Sequence, residues 1–571
     1  MKYKLINEEI KQNYGEEILY SRGIKDINKF LHPTIENSLQ DWRDLDNIEA
    51  GCELIKNTIN SEKPYALIKD CDVDGATSSA IIELYLKRLN PNKIIDTYIH
   101  EGKQHGLEDV YHDILEKEYG LIIIPDAGTN DGKYAKLFNC PILVLDHHLF
   151  EDGDIASNMV IINNQMSNNY KNKHLSGAGV VWQFCRALDA HFGNKWAYDY
   201  IDLAALGVCA DMMDVREYEN QYLFREGFNN IKNFFFEILL EKQSYSMGNK
   251  INPITVAFYI VPMINAMIRV GSMDEKRRLY DAFVDGERLV PCNKRGAKGT
   301  MERLAIESAR ECTNAKVHQD KKKKEVAEAL DIKIHKHDLL ENKILFVRLD
   351  DDDDFPAVLN GLVCMQLSQR YKRPTIVARL NDEGYIRGSA RGLNKSELDS
   401  FKDFLNESKY FEYTVGHDNA FGCSILNKDL PSFHDYANKT LKDMNFGENV
   451  YEVSFIKEGM SLDLAAIIKD LDKYEFCWGQ QNETPLVVVK NIFIKQSDIH
   501  IMGRNNDTVK FEKNGISYIK FFAKDLIEEL KQYNEMKIEV IGKTVMNEWN
   551  GFYTPQIMIE DLEVEDAKLA F

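Results

Sequence analysis

No two of the ten cysteines in this 571-residue chain form a CxxC pair; they are scattered from Cys52 to Cys477. That excludes a zinc ribbon and a disulfide framework, and it points to a reducing, cytoplasmic setting. Uninterrupted apolar stretches near the ~20 residues that span a bilayer are missing too, so no membrane partner is expected. The first residues, MKYKLINEEIKQNYGEEILY, carry charges throughout and lack a secretory apolar core. There is no internal repeat and no long low-complexity tract. Basic residues are in deficit, with 71 Lys and Arg against 91 Asp and Glu and a formal net charge of −20. Taken alone, this counts against a nucleic-acid partner, whose phosphates are neutralised by Lys and Arg. The objection weakens if clustered acids hold metal, because a loaded cluster becomes a positive site. Charge is also uneven, with five acids from Asp350 to Asp354 and four lysines from Lys321 to Lys324.

What is present is an ordinary globular balance, 44% apolar and 28% charged, in a chain too long for one core. Short apolar runs alternate with helical patterns between about 50 and 215, as in a doubly wound α/β domain. Tyr65–Ile68, Leu121–Ile124 and Ile142–Leu145 read as strands, Ser78–Leu89 and Gly177–Leu188 as helices, and Ile201–Leu206 as a further apolar segment. Residues 216 to 330 look mostly helical, and Met212, Met213, Met263 and Met267 read as core. Ala297–Asp331, free of proline and rich in Ala, Glu and Lys, predicts a long connector helix whose lysines form a solvated face. A second α/β unit starts near Lys343–Val347. Toward the C-terminus five strands are expected, at Leu486–Val489, Ile499–Ile501, Ile516–Ile519, Ile538–Ile541 and Gln556–Ile559. A helix at Ala523–Leu530 between the third and fourth is compatible with an OB-type barrel. The expected division is 1–49 (N-terminal helical segment), 50–296 (catalytic domain with a helical extension), 297–331 (connector helix), 332–445 (second α/β domain) and 446–571 (OB-type nucleic-acid-binding domain).

The chemistry lies where the first apolar runs end. Asp70-Cys71-Asp72-Val73-Asp74-Gly75 follows the first run, Asp126-Ala127-Gly128 the second and Asp146-His147-His148 the third, while Asp211 ends Ala204–Ala210. In an extended backbone Asp70, Asp72 and Asp74 share a face, with Gly75 supplying a sharp exit. A parallel sheet brings its strand ends together, and ligands collect there. One DxD could be a solvated loop; four acid or acid–histidine clusters at successive strand ends predict a metal site. Oxygen and imidazole ligands without thiolate suit Mn²⁺ or Mg²⁺. About six ligands suggest two ions sharing a carboxylate, an arrangement suited to phosphoester hydrolysis.

In order and spacing, these motifs resemble the RecJ-type single-stranded-DNA-specific exonucleases of the DHH/DHHA1 phosphoesterase family, from about residue 50 to the end. "HEGKQHGL" (His100–Leu107), "LSGAGVVWQF" (Leu175–Phe184), "PMINAMIR" (Pro262–Arg269), "RGSARG" (Arg387–Gly392), "GHDNAFG" (Gly416–Gly422) and "WGQQNETP" (Trp478–Pro485) are similar to the family's further elements. The resemblance implies a DHH domain with a parallel sheet, a connector helix, a DHHA1 α/β domain and an OB-type barrel. It implies metal ligation by Asp72, Asp74, Asp126, His147 and Asp211, with Asp126 as the catalytic bridge. His148 matches a catalytic position that binds either metal or the scissile phosphate. Asp70 is an outer ligand or an orienter, and Asp146 positions the imidazoles. Arg269, Ser389, Arg391 and His417, with Gly388, Gly416 and Gly422 allowing close approach, match residues that hold substrate phosphates. Trp549, Phe552 and Tyr553 either stack bases or pack a hairpin. Val415 in place of the first glycine of the family's GGH, Asn164 in place of proline, and the acid run depart from the pattern. These departures touch the DNA path more than the metals.

The activity implied is a 5′→3′ exonuclease on single-stranded DNA that releases 5′-mononucleotides in repair and recombination. It would act as a monomer, with a helicase or a single-strand-binding protein as potential partner. Two rivals remain. One is a DHH/DHHA1 phosphodiesterase of short oligonucleotides or cyclic dinucleotides, against which the C-terminal barrel argues. The other is a non-catalytic replication scaffold, against which the complete ligand set argues.

Overall fold

The computed structural model describes residues 1–567 except 8–9, 11–12, 103, 152, 154, 298, 351–355, 394–395, 447–449, 504 and 550. All but the first residue of the acid run from Asp350 to Asp354 lie outside the described residues. The chain forms two compact units: Asn7–Lys316 with Ser454–Phe571, and Met1–Ile6 with Val317–Val453.

In the larger unit, strands β1 (Tyr65–Lys69), β2 (Ile95–Ile99), β3 (Leu121–Pro125), β4 (Ile142–Asp146) and β5 (Met159–Asn163) form an all-parallel sheet. Their spatial order is β2-β1-β3-β4-β5. Every residue of β1, β3 and β4 is buried, because both faces of the sheet are covered. Tyr65 and Leu67 pack into one hydrophobic core and Ala66 and Ile68 into another. That is why these strands read as unbroken apolar runs rather than as alternation. The chain passes from β1 to β2 on one side, then crosses to place β3 on the other. The carboxyl ends of β1 and β3 therefore flank a topological switch point, the place where ligands bind in such sheets.

Helix α1 (Val73–Leu89) follows β1, and α2 (Gly177–Phe192) and α3 (Ile201–Ala210) pack against it and each other. The segment before Asp211 is thus a helix and not a strand end. Nine of its ten residues are buried, and apart from Asp202 the nine carry no charge, so it shows no helical period. Met212 corrects a second expectation. It follows the helix end in a left-handed turn at φ 53° and is exposed, whereas Met263 and Met267 are buried as expected. The apolar run Pro253–Val270 is long enough to cross a membrane by composition, but Val256, Ile260, Ile264 and Met267 pack into the core.

Lys69 at the end of β1 is buried and bonds Glu83 of α1 at 2.9 Å, with side chains 3% and 6% exposed. Lys87 also reaches Glu83, at 2.6 Å. Lys69→Met is expected to lower stability by ~3 kcal/mol, the low end for breaking a buried pair, because Lys87 still compensates Glu83. An unchanged denaturation midpoint would contradict this.

The C-terminal part of this unit is one seven-stranded sheet, in the order Phe455–Glu458, Leu486–Lys495, Glu535–Trp549, Phe552–Asp566, Ile516–Lys520, Thr508–Lys513, His500–Met502. Five strands were expected, and the two missed are Phe455–Glu458 and Thr508–Lys513. The helix Lys524–Leu530 falls where predicted. Ile18, Leu19 and Phe30 from N-terminal helices share its core with Val487 and Ile538.

In the smaller unit, strands run in the order Phe411–His417, Ala420–Leu426, Tyr385–Arg391, Thr375–Leu380, Leu345–Leu349, and only the last pair is parallel. Lys2–Leu5 pairs in parallel with Val450–Val453. The long helix runs Leu304–Lys336, starting later than the predicted Ala297. Gly299 at φ 89° and a Thr300 N–H bond to the Ala297 carbonyl make a turn there, followed by the strand Met301–Arg303. Its lysines form a solvated face: Lys321, Lys323 and Lys324 pair with Glu325, Asp320 and Glu328 of the same helix.

Candidate metal centre

Asp70, Asp72 and Asp74 do not share one extended face, because the strand stops at Lys69. Asp72 is the N-cap of α1 and accepts the Gly75 N–H at 2.9 Å, and Asp74 lies in the first helical turn. Gly75 is an ordinary helical residue and makes no sharp exit. It is small for another reason: a Cβ there would lie 2.5 Å from the Asp70 Cβ. Asp74 is held by the start of α2. Ser176 Oγ (2.8 Å), the Gly177 amide (2.7 Å) and the Ala178 amide (3.0 Å) all donate to its carboxylate. One helix N-terminus thus fixes a residue in the first turn of another.

Asp126 leaves β3 at φ 66°, a left-handed conformation that Asp tolerates better than most residues. Its amide bonds the Leu145 carbonyl at 2.8 Å, and its Oδ1 is buried with no hydrogen-bond partner. His147 Nε2 stands 3.3 Å from Asp126 Oδ1, 3.6 Å from Asp211 Oδ2 and 3.9 Å from Asp74 Oδ2. Asp211 is the C-cap of α3. Asp146 turns away from this group: its Oδ1 accepts the His147 amide (2.7 Å), the His148 amide (3.1 Å) and His148 Nδ1 (2.8 Å), and its Oδ2 accepts the Thr129 amide (2.9 Å). Asn163 on β5 ties the turn by donating to Thr129 Oγ1 and the His148 carbonyl. Asp70 Oδ2 bonds His105 Nδ1 at 2.8 Å, and its Oδ1 is buried without a partner.

Asp70, Asp72, Asp74, Asp126, His147, His148 and Asp211 therefore converge, in overlapping groups whose ligand atoms lie within 4.8 Å of one another. Two orphaned buried carboxylate oxygens, on Asp70 and Asp126, call for a cation. Oxygen and imidazole donors with no thiolate in those groups fit Mn²⁺ or Mg²⁺. The electrostatics agree. Burial and the neighbouring Asp70 and Asp74 push Asp72 up to about 6. Burial and nearby carboxylates also push Asp126 and Asp211 well above the ordinary range. Burial and His148 lower His147, keeping its ring neutral. Against burial, the bond and charge of Asp146 raise His148 to about 9.

The raised carboxylates have a checkable consequence. The metal-free folded chain holds protons that the unfolded chain has lost, so its stability falls as pH rises from about 4 to about 6. A dication must displace those protons. The rise in melting temperature on adding Mn²⁺ is expected to be larger at pH 7.5 than at pH 5. Equal shifts at the two pH values would contradict the assignment.

Other predicted residues lie elsewhere. Arg269 lies in the last turn of the helix Val261–Val270, which packs against α1. Gly388, Ser389 and Arg391 lie on one strand of the smaller unit, and Gly416 (φ 132°) and His417 close the adjacent hairpin. Among the described residues no carboxylate pairs with Arg391. Its guanidinium fills the space a Cβ on Gly361 would take, 2.5 Å away at the start of helix Asn360–Tyr371. Tyr553 is 62% and Phe552 76% exposed at the hairpin of the two longest strands, which removes the packing-cluster reading for those two rings. The Trp549 side chain lies outside the described residues. Sequence reasoning missed His105, Ser176 and Thr129. The "HGL" and "LSG" segments that contain the first two were visible, but nothing in them shows which side chains turn toward the acids.

A doubly wound parallel sheet with acids and histidines gathered at its switch point, followed by an OB-type sheet, defines a DHH-type phosphoesterase. Residues 65–208 match the DHH family N-terminal domain and residues 458–561 the RecJ OB domain. The chain is 34% identical, over 100% of its length and 99% of the relative, to the SPbeta prophage-derived YorK of Bacillus subtilis, a protein named as a single-strand DNA-specific exonuclease. It is 26% identical to the single-stranded-DNA-specific exonuclease RecJ of the same organism, over 97% of this chain and 68% of that one. Thermus thermophilus RecJ in complex with Mn²⁺ has the same fold, with a TM-score of 0.74 at 19% identity over 97% of this chain and 76% of that one. A Mg²⁺ complex of the same protein matches at 0.67 with 19% identity, over 97% of this chain and 75% of that one. The chain belongs to the RecJ family.

Proposed function

We propose that this protein is a divalent-metal-dependent exonuclease that degrades single-stranded DNA from the 5′ end to 5′-mononucleotides, as a monomer in the cytoplasm during repair or recombination. The observation that carries the proposal is the convergence of five carboxylates, two of them with an orphaned buried oxygen, with His147 and His148 at the switch point. Asp72, Asp74, Asp126, His147 and Asp211 would hold two dications, with Asp126 the residue proposed to serve both. Once bound, Mn²⁺ or Mg²⁺ would activate water near neutral pH and neutralise charge on the leaving oxygen.

The chain's own groups do the positioning. Asp146 occupies Nδ1 of His148, so Nε2 is the nitrogen that faces a ligand, and the charge on the ring suits the scissile phosphate. Arg269 and Arg391 suit bidentate contacts to further phosphates, Ser389 adds a hydroxyl donor, and His417 adds an imidazole. Gly388 and Gly416 do not open space for a nucleic-acid backbone as expected: a Cβ on either would run into the neighbouring strand, 2.1 Å from the Val377 carbonyl oxygen or 2.8 Å from the Ala420 carbonyl oxygen, so they serve strand packing. Phe552 and Tyr553 offer exposed ring faces on which bases would stack, with Trp549 beside them in the hairpin register. A helicase or a single-strand-binding protein would supply the free strand.

Strands labelled at the 5′ or 3′ end test the reading. With Mn²⁺, 5′-labelled strands should release labelled mononucleotide at once, while 3′-labelled strands shorten progressively. Faster hydrolysis of dinucleotides or cyclic dinucleotides than of long strands would move the protein to the oligonucleotide phosphodiesterases.

A further inference from the structure

A second group of ligand atoms adjoins the acid centre and differs from it in kind. Asp70, Cys71 and His105 bring a carboxylate oxygen, a thiol sulfur and an imidazole nitrogen within 4.8 Å of one another. Cys71 Sγ is 4.0 Å from His105 Nδ1, which is 2.8 Å from Asp70 Oδ2. Around a tetrahedral Zn²⁺ such donors stand about 3.4–3.6 Å apart, so small side-chain movements would close the group on one ion. Cys71 is partly open to solvent and the His105 side chain is 56% exposed, so a cation can enter. Seven of the other cysteines are buried, and among the described residues Cys71 alone has a histidine and a carboxylate in ligand reach. Asp70 itself is 1% exposed and keeps one buried oxygen without any partner, an arrangement a nearby cation would relieve. His100, in the same segment, is no member: it is buried and bonded to Asp109.

We propose that Asp70, Cys71 and His105 form a separate site for a thiophilic dication such as Zn²⁺, with water as the fourth ligand. The thiolate separates this site from the acid centre, since sulfur selects softer ions while carboxylate and water suit Mn²⁺ and Mg²⁺. Binding replaces the thiol proton and the proton between His105 Nδ1 and Asp70 Oδ2. Asp70 also belongs to the group with Asp72 and Asp126. An ion at Cys71 would therefore draw charge from that carboxylate and set a second positive charge beside the hard-metal ligands. Zn²⁺ at this site would then inhibit the enzyme by weakening Mn²⁺ binding. This regulatory half rests on the function proposed above; the site itself does not.

Co²⁺ titration of the metal-free, reduced protein tests the site without any turnover. Wild type should develop a sulfur-to-cobalt charge-transfer band in the near ultraviolet. Cys71→Ser should abolish the band, His105→Ala should weaken Co²⁺ binding there by at least about tenfold, and Asp126→Asn should keep it. Absence of the band in wild type, or its survival in Cys71→Ser, overturns the site. Wild type in Mn²⁺ should lose at least about tenfold of its activity on equimolar Zn²⁺, and Cys71→Ser should resist that loss; equal inhibition of both overturns the regulatory half. If neither protein cleaves single strands but the cobalt band behaves as expected, the site stands and the functional proposal fails.

Discussion

Asp126→Asn is expected to lower exonuclease activity by at least about 10³-fold while making the metal-free protein more heat-stable. The two effects share one cause. Asp126 is buried, one of its oxygens has no partner, and Asp74, Asp72 and Asp70 surround it with like charge. That is unfavourable for folding and useful only to a cation. Asparagine keeps the size and tolerates the left-handed backbone at φ 66°, so the fold should survive where alanine would add strain. With one charge removed, repulsion among the remaining carboxylates falls and the metal-free melting temperature rises. The further rise that Mn²⁺ gives to wild type should largely vanish. Retained cleavage with an unchanged Mn²⁺-dependent shift would contradict the bridging role, and a drop in metal-free stability would contradict the electrostatic account.

Gly177→Ala is expected to have the next largest effect. A Cβ at Gly177 would fall 2.3 Å from Asp126 Oδ1 and 2.8 Å from the Asp126 Cα, so a backbone segment would have to move. The Gly177 amide also donates to Asp74 Oδ2 at 2.7 Å, so the displacement would reach two predicted ligands together. A shift near 1 Å in a catalytic constellation lowers rate by ~10²-fold, and overpacking of this kind lowers stability by about 1–3 kcal/mol. Gly193→Ala, at the far end of the same helix, is the control. Gly193 has φ 73° with open space around it, so alanine should lower stability by about 1 kcal/mol and leave activity unchanged. Similar activities for the two variants would show that the approach of α2 to Asp126 is unimportant.

Much of the centre was legible because of how the sheet is buried. Leu121–Ile124 and Ile142–Leu145 are apolar throughout since both faces of the sheet are covered, and the acids just beyond each run emerge at the carboxyl end of the sheet. Asp126 and Asp146 were therefore placed well. Asp74 and Asp211 were assigned to strand ends and belong to helix ends, because a two-residue spacing does not distinguish a strand from a cap followed by a first turn. Helix α3, apolar apart from Asp202, carries no period to read. Thr508–Lys513 was missed although Asn514-Gly515, both left-handed at φ 51° and 74°, is a strong hairpin signal between it and Ile516–Lys520. The strand Lys2–Leu5 could not be foreseen, since its partner Val450–Val453 is far away in sequence. His105 is a lone histidine in a loop, and only the folded chain shows that it meets Asp70.

The most direct test is diffraction from crystals soaked in Mn²⁺, with anomalous maps collected at the manganese edge. Two peaks are expected among Asp72, Asp74, Asp126, His147 and Asp211, with Asp126 touching both. An empty centre at saturating Mn²⁺, or those side chains turned away from one another, would contradict the account.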